Sequence, residues 1–134
     1  MSTETRWRQR YANFQKALTQ LEKAVDMDEY SDLEREGLIQ RFEYTIELAW
    51  KTLKDLLETK GYDDVKGPNP VIKQAFQDGY ILDGDAWLEM WQSRTLASHT
   101  YDEETAIEIV EKIKIKYYYL LDDLDKKLAK QTEE

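Results

Sequence analysis

Apolar side chains recur along this chain in steps of three and four residues, which is the spacing of one face of an α-helix. Three such stripes run through residues 7–25, 38–57 and 106–128. The third stripe comprises Ala106, Ile109, Val110, Ile113, Tyr117, Leu120, Leu124 and Leu128. The chain has only five glycines and two prolines, too few for the tight turns of an all-β fold. We therefore expect long amphipathic helices.

Turn and capping residues separate these helices. Ser31 and Glu34 form the Ser-x-x-Glu pattern of a capping box, which predicts the start of a second helix that ends before Gly61. After a proline-containing loop, Asn69 is the expected N-cap of a short third helix that Gly79 closes. The first part of the chain therefore contributes two long helices and a short one.

The second part of the chain adds two more helices. A fourth helix should begin at residues 83–85 and end near Ser98. Thr100 and Glu103 form a second capping box, which opens a fifth helix carrying the third stripe. Together the patterns predict an all-α fold, an antiparallel up-and-down four-helix bundle with one additional short helix, as a single domain over residues 1–134.

The composition excludes several kinds of site. There is no cysteine, so disulfides, thiolate metal sites and thiol nucleophiles are ruled out. Di-iron bundles place a glutamate three residues before each histidine, and here that position is Leu96. No glycine-rich phosphate loop precedes a helix. We expect no bound metal and no cofactor.

The net charge and hydropathy limit the partners of the chain. A formal net charge of −9 is unsuited to indiscriminate binding of long polyanions, although an acidic chain can handle RNA through a local cationic cleft or with a basic partner. The N-terminus has no apolar signal core, and no apolar run approaches the roughly 20 residues of a membrane span. We expect a cytoplasmic protein with no membrane partner.

A candidate chemical site lies between the fourth and fifth helices. His99, the only histidine, follows Arg94 by five residues. Five residues of α-helix turn a side chain by roughly 500°, which leaves the two side chains about 140° apart. They cannot meet along one continuous helix face, so we expect the fourth helix to end first and His99 to lie at the corner, near the hydroxyl of Tyr101.

These residue types suit metal-independent RNA cleavage. An imidazole can act as base for the 2′-hydroxyl or acid for the leaving 5′-oxygen, and a guanidinium can stabilise the charge of the phosphorane. One histidine per chain is a weakness, because the base and the acid are best separate groups. A two-fold dimer that brings two corners together would supply two histidines and two arginines.

A purely structural role is the alternative interpretation. His99 would cap a helix end, and Arg94 would pair with Asp102, Glu103 or Glu104. Polar corners are common and the flanking acids repel phosphate, so the residues taken alone favour this interpretation.

The aromatic residues of this region also have two interpretations. The ring of Tyr101 either packs on Trp87 or Trp91 at the start of the fifth helix, or leaves its hydroxyl exposed as an acceptor for a transferred group. Consecutive helical residues point 100° apart, so the tyrosines at 117–119 must divide between core and surface. The outward ring favours an interface, and stacking on RNA bases is a weaker option.

The spacing Arg94-x4-His99-x-Tyr101 matches the Arg-x4-His-x-Tyr motif of HEPN-superfamily proteins, all-α bundles of which many are metal-independent ribonucleases. Residues 41–54, RFEYTIELAWKTLK, resemble the second helix of one branch, the nucleotidyltransferase substrate-binding protein family, which includes HepT-like toxins. The resemblance extends from Trp7 to about Leu128.

The resemblance implies a homodimer encoded beside a small nucleotidyltransferase. In toxin–antitoxin members the HEPN subunit cleaves RNA, and the partner silences it by attaching AMP to the motif tyrosine. By this resemblance His99 would be the general acid/base, Arg94 the phosphate stabiliser and Tyr101 the modified residue, with Thr95 and Ser98 supporting the site. Many active HEPN nucleases carry Asn or Asp directly after the arginine, whereas this chain has Thr95.

Three functions follow as expectations. The first is a HEPN-type toxin subunit, an endoribonuclease neutralised by a nucleotidyltransferase that adenylylates Tyr101. The second is a non-catalytic subunit that presents substrate to the nucleotidyltransferase. The third is a structural partner bundle in which Arg94 and His99 are paired away from any cleft.

Overall fold

The computed structural model describes residues 2–99 and 102–133. Its α-helices are α1 (Thr3–Val25), α2 (Asp32–Thr59), α3 (Pro68–Gln77), α4 (Gly84–His99), α5 (Glu103–Lys112) and α6 (Tyr118–Gln131). A π-helical turn, Ile113–Tyr117, which we call the π segment, joins α5 to α6. The described residues contain no strand, so the all-α prediction is confirmed.

Contacts between side chains give the directions of α1 and α2. Arg6 pairs with Glu58 at 3.2 Å, and Arg10 pairs with Asp55 at 2.9 Å. Residue numbers therefore rise along α1 as they fall along α2, which is an antiparallel arrangement. Hydrophobic faces on both helices close against each other along this pair.

The fourth helix is antiparallel to α2 in the same way. The rings of Trp50 and Trp91 meet edge to face with centroids 6.2 Å apart, and Ser98 lies opposite Glu43. α2 packs against α1, α3, α4 and α5, which makes it the central element. The up-and-down four-helix bundle is confirmed, with α5, the π segment and α6 together as its last helix and α3 as the additional short one.

The core is built from the apolar stripes that the sequence shows. Its largest fully buried side chains are Trp7, Phe14, Leu21, Leu38, Phe42, Ile46, Leu53, Leu56, Leu57, Ile72, Trp87 and Tyr117. The rings of Phe42 and Tyr117 stack with centroids 5.5 Å apart, which ties α2 to the π segment. Among the described helices, none is long and apolar enough to cross a lipid bilayer.

The π segment is a departure from the continuous fifth helix that the sequence predicts. Buried side chains at Ile109, Ile113, Tyr117 and Leu121 follow three successive steps of four residues. In an α-helix each such step overshoots a full turn by about 40°, so three would rotate the apolar stripe by about 120°. The wider i→i+5 turn absorbs this rotation. As a result Leu121 is buried, whereas the predicted Leu120 is only partly buried.

Two predicted helix starts have different outcomes. The capping box of α2 is confirmed: Ser31 Oγ accepts from the Glu34 amide at 3.2 Å, and Glu34 Oε1 accepts from the Ser31 amide at 2.9 Å. The prediction for α3 is wrong, because Gly67 is the N-cap and Pro68 the first helical residue. Proline fits the first turn, where its missing N–H would have no helical partner, so the helix begins before Asn69.

The start of α5 also differs from the predicted capping box. Its N-cap is Asp102, whose carboxylate accepts from the Glu104 amide at 3.3 Å and from Thr105 Oγ1 at 2.9 Å. The hydrogen bond from Thr105 is the largest cause that holds the pKa of Asp102 below its ordinary value. The predicted cap, Thr100, lies outside the described residues.

Candidate functional site at the end of α4

The predicted site residues lie on the last two turns of α4. Arg94, Thr95, Ser98 and His99 are all helical, and Tyr101 lies outside the described residues. The helix therefore continues through His99 and does not stop before it, a difference of one residue that is ordinary for a helix end. As the spacing requires, Arg94 is partly buried towards α2 and His99 is exposed on another face.

Three contacts fix the side chain of Arg94. Its guanidinium lies over the ring of Trp91, 5.3 Å from the centroid. Nη1 donates to Ser98 Oγ at 3.1 Å, and Nη2 lies 3.6 Å from Glu47 Oε2. The cation is therefore held over an aromatic ring and partly neutralised by a carboxylate of α2.

The partner of Arg94 corrects the structural interpretation of the sequence. That interpretation placed it among the acids at 102–104, whereas the described carboxylate beside the guanidinium is Glu47. Glu103 instead lies 3.7 Å from Arg35. The guanidinium points from α4 towards α2, a direction set by helix packing and not by local spacing.

The two supporting residues play different parts. Ser98 Oγ accepts from Arg94 and lies 3.1 Å from Glu43 Oε2, to which its hydroxyl can donate. Ser98 thus links the guanidinium to a second carboxylate of α2. Thr95 Oγ1 donates to the carbonyl of Trp91 at 3.2 Å, so this hydroxyl is bound to the backbone of its own helix.

Aromatic rings form the base under Arg94. Trp91 meets Trp50 edge to face, and Lys51 Nζ lies 6.0 Å from the centroid of Trp50. Two N–H groups, Arg94 Nε and Trp50 Nε1, are buried with no hydrogen-bond partner among the described residues. Buried unpaired donors are rare in proteins, and an acceptor that reached them would gain a strong hydrogen bond.

The imidazole of His99 is available for chemistry. It is exposed and makes no hydrogen bond or ion pair with residues 2–99 or 102–133. Histidine is the side chain used most often as a general acid or base. Because the chain has only one histidine, a reaction that uses one imidazole as the base and another as the acid requires a second copy.

An acidic groove of about 510 Å³ adjoins this end of α4. We define the acidic groove by Asp32, Arg35, Glu36, Ile39, Gln40, Glu43, Ala97, Asp102, Glu103 and Ala106. Arg35 is the one cation among these described residues, and it lies 3.1 Å from Asp32. Such a surface repels phosphate, so a polyanion would have to approach Arg94 from another side.

Sequence reasoning does not assign Glu43 and Glu47 to the site. A spacing of four puts both carboxylates on one face of α2, and the antiparallel packing of α4 places Ser98 and Arg94 opposite them. The acidic pair at i and i+4 is visible in the sequence. Its connection to the motif becomes visible only when the pairing of the two helices is known.

Comparison with known proteins identifies the family. A sequence profile described as "Nucleotidyltransferase substrate binding protein like" matches residues 9–130. The chain belongs to this family. In this nucleotidyltransferase substrate-binding-protein-like chain the matched stretch includes α2 to α5 and most of α1 and α6.

A curated relative of this family member is the "Probable ribonuclease HepT" of Haemophilus influenzae. The two are 33% identical over 81 residues, which are 58% of this chain. The match spans 56% of the relative, so about half of that protein is compared.

Two solved structures share the fold of this family member. A protein of Thermus thermophilus is 34% identical, with a TM-score of 0.77 over 83% of this chain and 94% of that one. A second, from Haemophilus influenzae, is described as revealing the fold of a substrate-binding domain of a nucleotidyltransferase. It is 24% identical, with a TM-score of 0.68 over 96% of this chain and 99% of that one, and it supports the fold alone.

Proposed function

We propose that this chain is one HEPN-like domain and the toxin subunit of a toxin–antitoxin pair, a homodimeric endoribonuclease neutralised by a small nucleotidyltransferase. The observation that carries the proposal is that a fixed guanidinium, Arg94, and an exposed unpaired imidazole, His99, lie on the last turns of one helix. The family supports the nucleotidyltransferase partner, and the name of the Haemophilus influenzae relative supports ribonuclease activity.

The proposed reaction uses groups from two copies of the site. One His99 takes the proton of a 2′-hydroxyl, and the 2′-oxygen attacks the adjacent phosphorus. The bond from phosphorus to the 5′-oxygen then breaks, and the other His99 protonates that oxygen. Arg94 stabilises the added negative charge in the phosphorane. Because these side chains supply acid, base and charge stabilisation, we propose that no metal is needed.

The proposed dimer needs a surface next to the motif. Leu96 lies in the same two turns as Arg94 and is 50% exposed, and Ile107 on α5 is 45% exposed. Apolar side chains of this kind are suited to burial against a second copy across a two-fold axis. Contact between two copies at Leu96, three residues before His99 on α4, would bring the two His99 imidazoles towards one pocket.

We propose Tyr101 as the residue that the nucleotidyltransferase modifies. AMP on this tyrosine would place an anion and a purine two residues from His99, which would exclude RNA by charge and volume. Incubation with the nucleotidyltransferase and ATP should add the mass of one AMP to the wild-type chain but not to Tyr101→Phe. Equal labelling of both chains would place the modification elsewhere.

A non-catalytic substrate-binding subunit is the second candidate. It is favoured by the 3.6 Å contact of Arg94 with Glu47 and by the acidic groove, which both weaken attraction for phosphate. In that case the purified chain would form a stable complex with the nucleotidyltransferase and would not cleave RNA at any concentration.

The deciding experiment is cleavage of single-stranded RNA in the presence of EDTA. We expect cleavage by the wild type and by Lys23→Ala, an exposed control on α1, and loss of cleavage in His99→Ala and Arg94→Ala. Circular dichroism should show that all four chains remain helical. Cleavage that persists in both motif variants would reject the proposal, and an inactive wild type would leave the second candidate.

A further inference from the structure

An open groove of about 450 Å³ runs between α1 and α2. We call it the α1–α2 groove; its walls include Lys16 and Gln20 from α1 and Gln40, Arg41 and Tyr44 from α2. It adjoins the candidate site, because Tyr44 precedes Glu47 by three residues and such residues are neighbours on a helix surface. A molecule lying in this groove could therefore extend towards Arg94.

The charge of this groove is opposite to that of the acidic groove. Among the described residues that line it, Lys16 and Arg41 are cations and none is Asp or Glu. This is a local exception in a chain with a net charge of −9. Arg41 Nη1 donates to the carbonyl of Gln20 at 2.7 Å, which holds the guanidinium in place while other N–H donors stay available. The groove is therefore suited to an anionic strand.

The uncharged part of the lining fits nucleic-acid bases. The side chain of Tyr44 is 61% exposed, although it is a large aromatic residue next to a well-packed helix pair. Exposed aromatic rings are stacking platforms for the bases of single strands. The amides of Asn13, Gln20 and Gln40 provide donors and acceptors for base edges.

Gly37 lies in the groove, at a position where its missing side chain leaves space. It lies inside α2, where glycine lowers helix stability relative to alanine. A Cβ added there would meet no atom within 4 Å, so packing does not require glycine. The residue lines the groove, and the missing side chain keeps this part of it empty.

We propose that the α1–α2 groove binds single-stranded RNA and leads it to Arg94 and His99. This inference rests on the proposed ribonuclease function and adds the path of the substrate. Lys16 and Arg41 hold phosphates, and Tyr44 stacks on a base. The strand reaches the motif along α2, past Gln40, which lines both grooves, and past the carboxylate of Glu47.

The test uses a fluorescent 2′-O-methyl RNA of about ten nucleotides. Because its 2′-oxygens are methylated and cannot act as nucleophiles, the assay measures binding without cleavage. Tyr44→Ala should weaken binding about tenfold, as expected for the loss of one base stack. Tyr119→Ala is the matched control, because Tyr119 is similarly exposed, at 57%, on α6. It should bind like the wild type.

Two further variants test the charge and the shape of the groove. Lys16→Gln should reduce the slope of log affinity against log salt by about 0.7, while Lys23→Gln on the same helix leaves it unchanged. Gly37→Gln should raise the thermal midpoint, because glutamine is the better helix former, and yet weaken RNA binding by filling the groove.

Each result decides the inference separately from the proposed function. Groove-dependent binding without cleavage of unmodified RNA would support the groove and reject the ribonuclease. Unchanged affinity in Tyr44→Ala and Gly37→Gln, or no binding by the wild type, would overturn the groove. Loss of the nucleotidyltransferase complex in these variants, with RNA binding intact, would overturn it in favour of a protein interface.

Discussion

The hydroxyl oxygens of Tyr117 and Ser93 lie 2.6 Å apart in the core. Ser93 immediately precedes Arg94 on α4. Tyr117 also donates towards Glu89 Oε2 at 3.3 Å, and Lys116 donates to the same carboxylate at 2.9 Å. The π segment is thus bound to α4 at two levels. This linkage fixes the position of the helix that carries the candidate site.

Tyr117→Phe should therefore destabilise the bundle. The substitution keeps the buried ring but leaves Ser93, which is 8% exposed, without this partner. Loss of one buried hydrogen bond of this kind lowers the free energy of unfolding by about 1 kcal/mol. Urea unfolding followed by circular dichroism measures it. Tyr119→Phe, which removes an exposed hydroxyl, should be neutral; an equal loss in both variants would contradict the argument.

Glu47→Gln should increase the affinity of the site for RNA. The carboxylate is 3.6 Å from the Arg94 guanidinium and competes with a substrate phosphate for it. Both side chains are 28% exposed, so the pair is worth at most about 1 kcal/mol, and the KM for RNA should fall by up to about fivefold. Cleavage kinetics measure the change. Glu111→Gln removes the same charge from an exposed position on α5 and should leave KM unaltered. An equal fall in the KM of Glu111→Gln would show that net charge alone causes the effect.

Arg10→Ala should lower the free energy of unfolding by more than is usual for a substitution at a partly exposed position. Asp55 is 2% exposed and receives a 2.9 Å hydrogen bond from Arg10 Nε. Removing the guanidinium leaves a buried carboxylate without this counter-charge, which we expect to cost about 2 kcal/mol because Arg10 itself is one-third exposed. Chemical denaturation measures it. Lys126→Ala breaks an ion pair between Asp122 and an exposed lysine, and it should lower the free energy of unfolding by less than about 0.5 kcal/mol.

Stability should fall in acid partly through Glu89. The hydrogen bond from Lys116 is the main cause that lowers the pKa of Glu89 from its ordinary value of 4.5. A lowered pKa in the folded chain stabilises it above pH 4.5, and this contribution is lost as the pH falls through the folded-state value. The difference in unfolding midpoint between wild type and Glu89→Gln should shrink from neutral pH to about pH 3. Glu108→Gln is the exposed control, and a constant difference for Glu89→Gln would exclude this linkage.

Local signals predict most of the helices. The stripe on α1 and the capping box at Ser31 need only neighbouring residues, and both are confirmed. The predicted cap of α3 was wrong because Asn69 and Gly67 both suit a helix start, and the fixed φ of Pro68 decides between them. The wide turn at 113–117 determines whether Leu120 or Leu121 is buried. That outcome depends on packing against α1 and α2, which the local sequence does not contain.

The candidate site shows the same limit. The spacing of Arg94 and His99 indicates that the two side chains do not share one helix face, but the prediction that α4 ends before His99 was wrong, because the helix includes that residue. The contact with Glu47 depends on how α2 and α4 align, a long-range relationship that spacing along one helix does not contain. The role of each residue in catalysis stays a prediction.

The π segment gives α6 a rotational phase of its own. If the same residues wound as an ordinary α-helix between Ile113 and Tyr117, every later side chain would be rotated by about 100° around the axis. Deleting one residue there would instead restore the α-helix and keep Leu121, Leu124 and Leu128 buried, at steps of three and four residues along the stripe. Related chains could therefore lack one residue in this turn and still form the same bundle with the same motif residues.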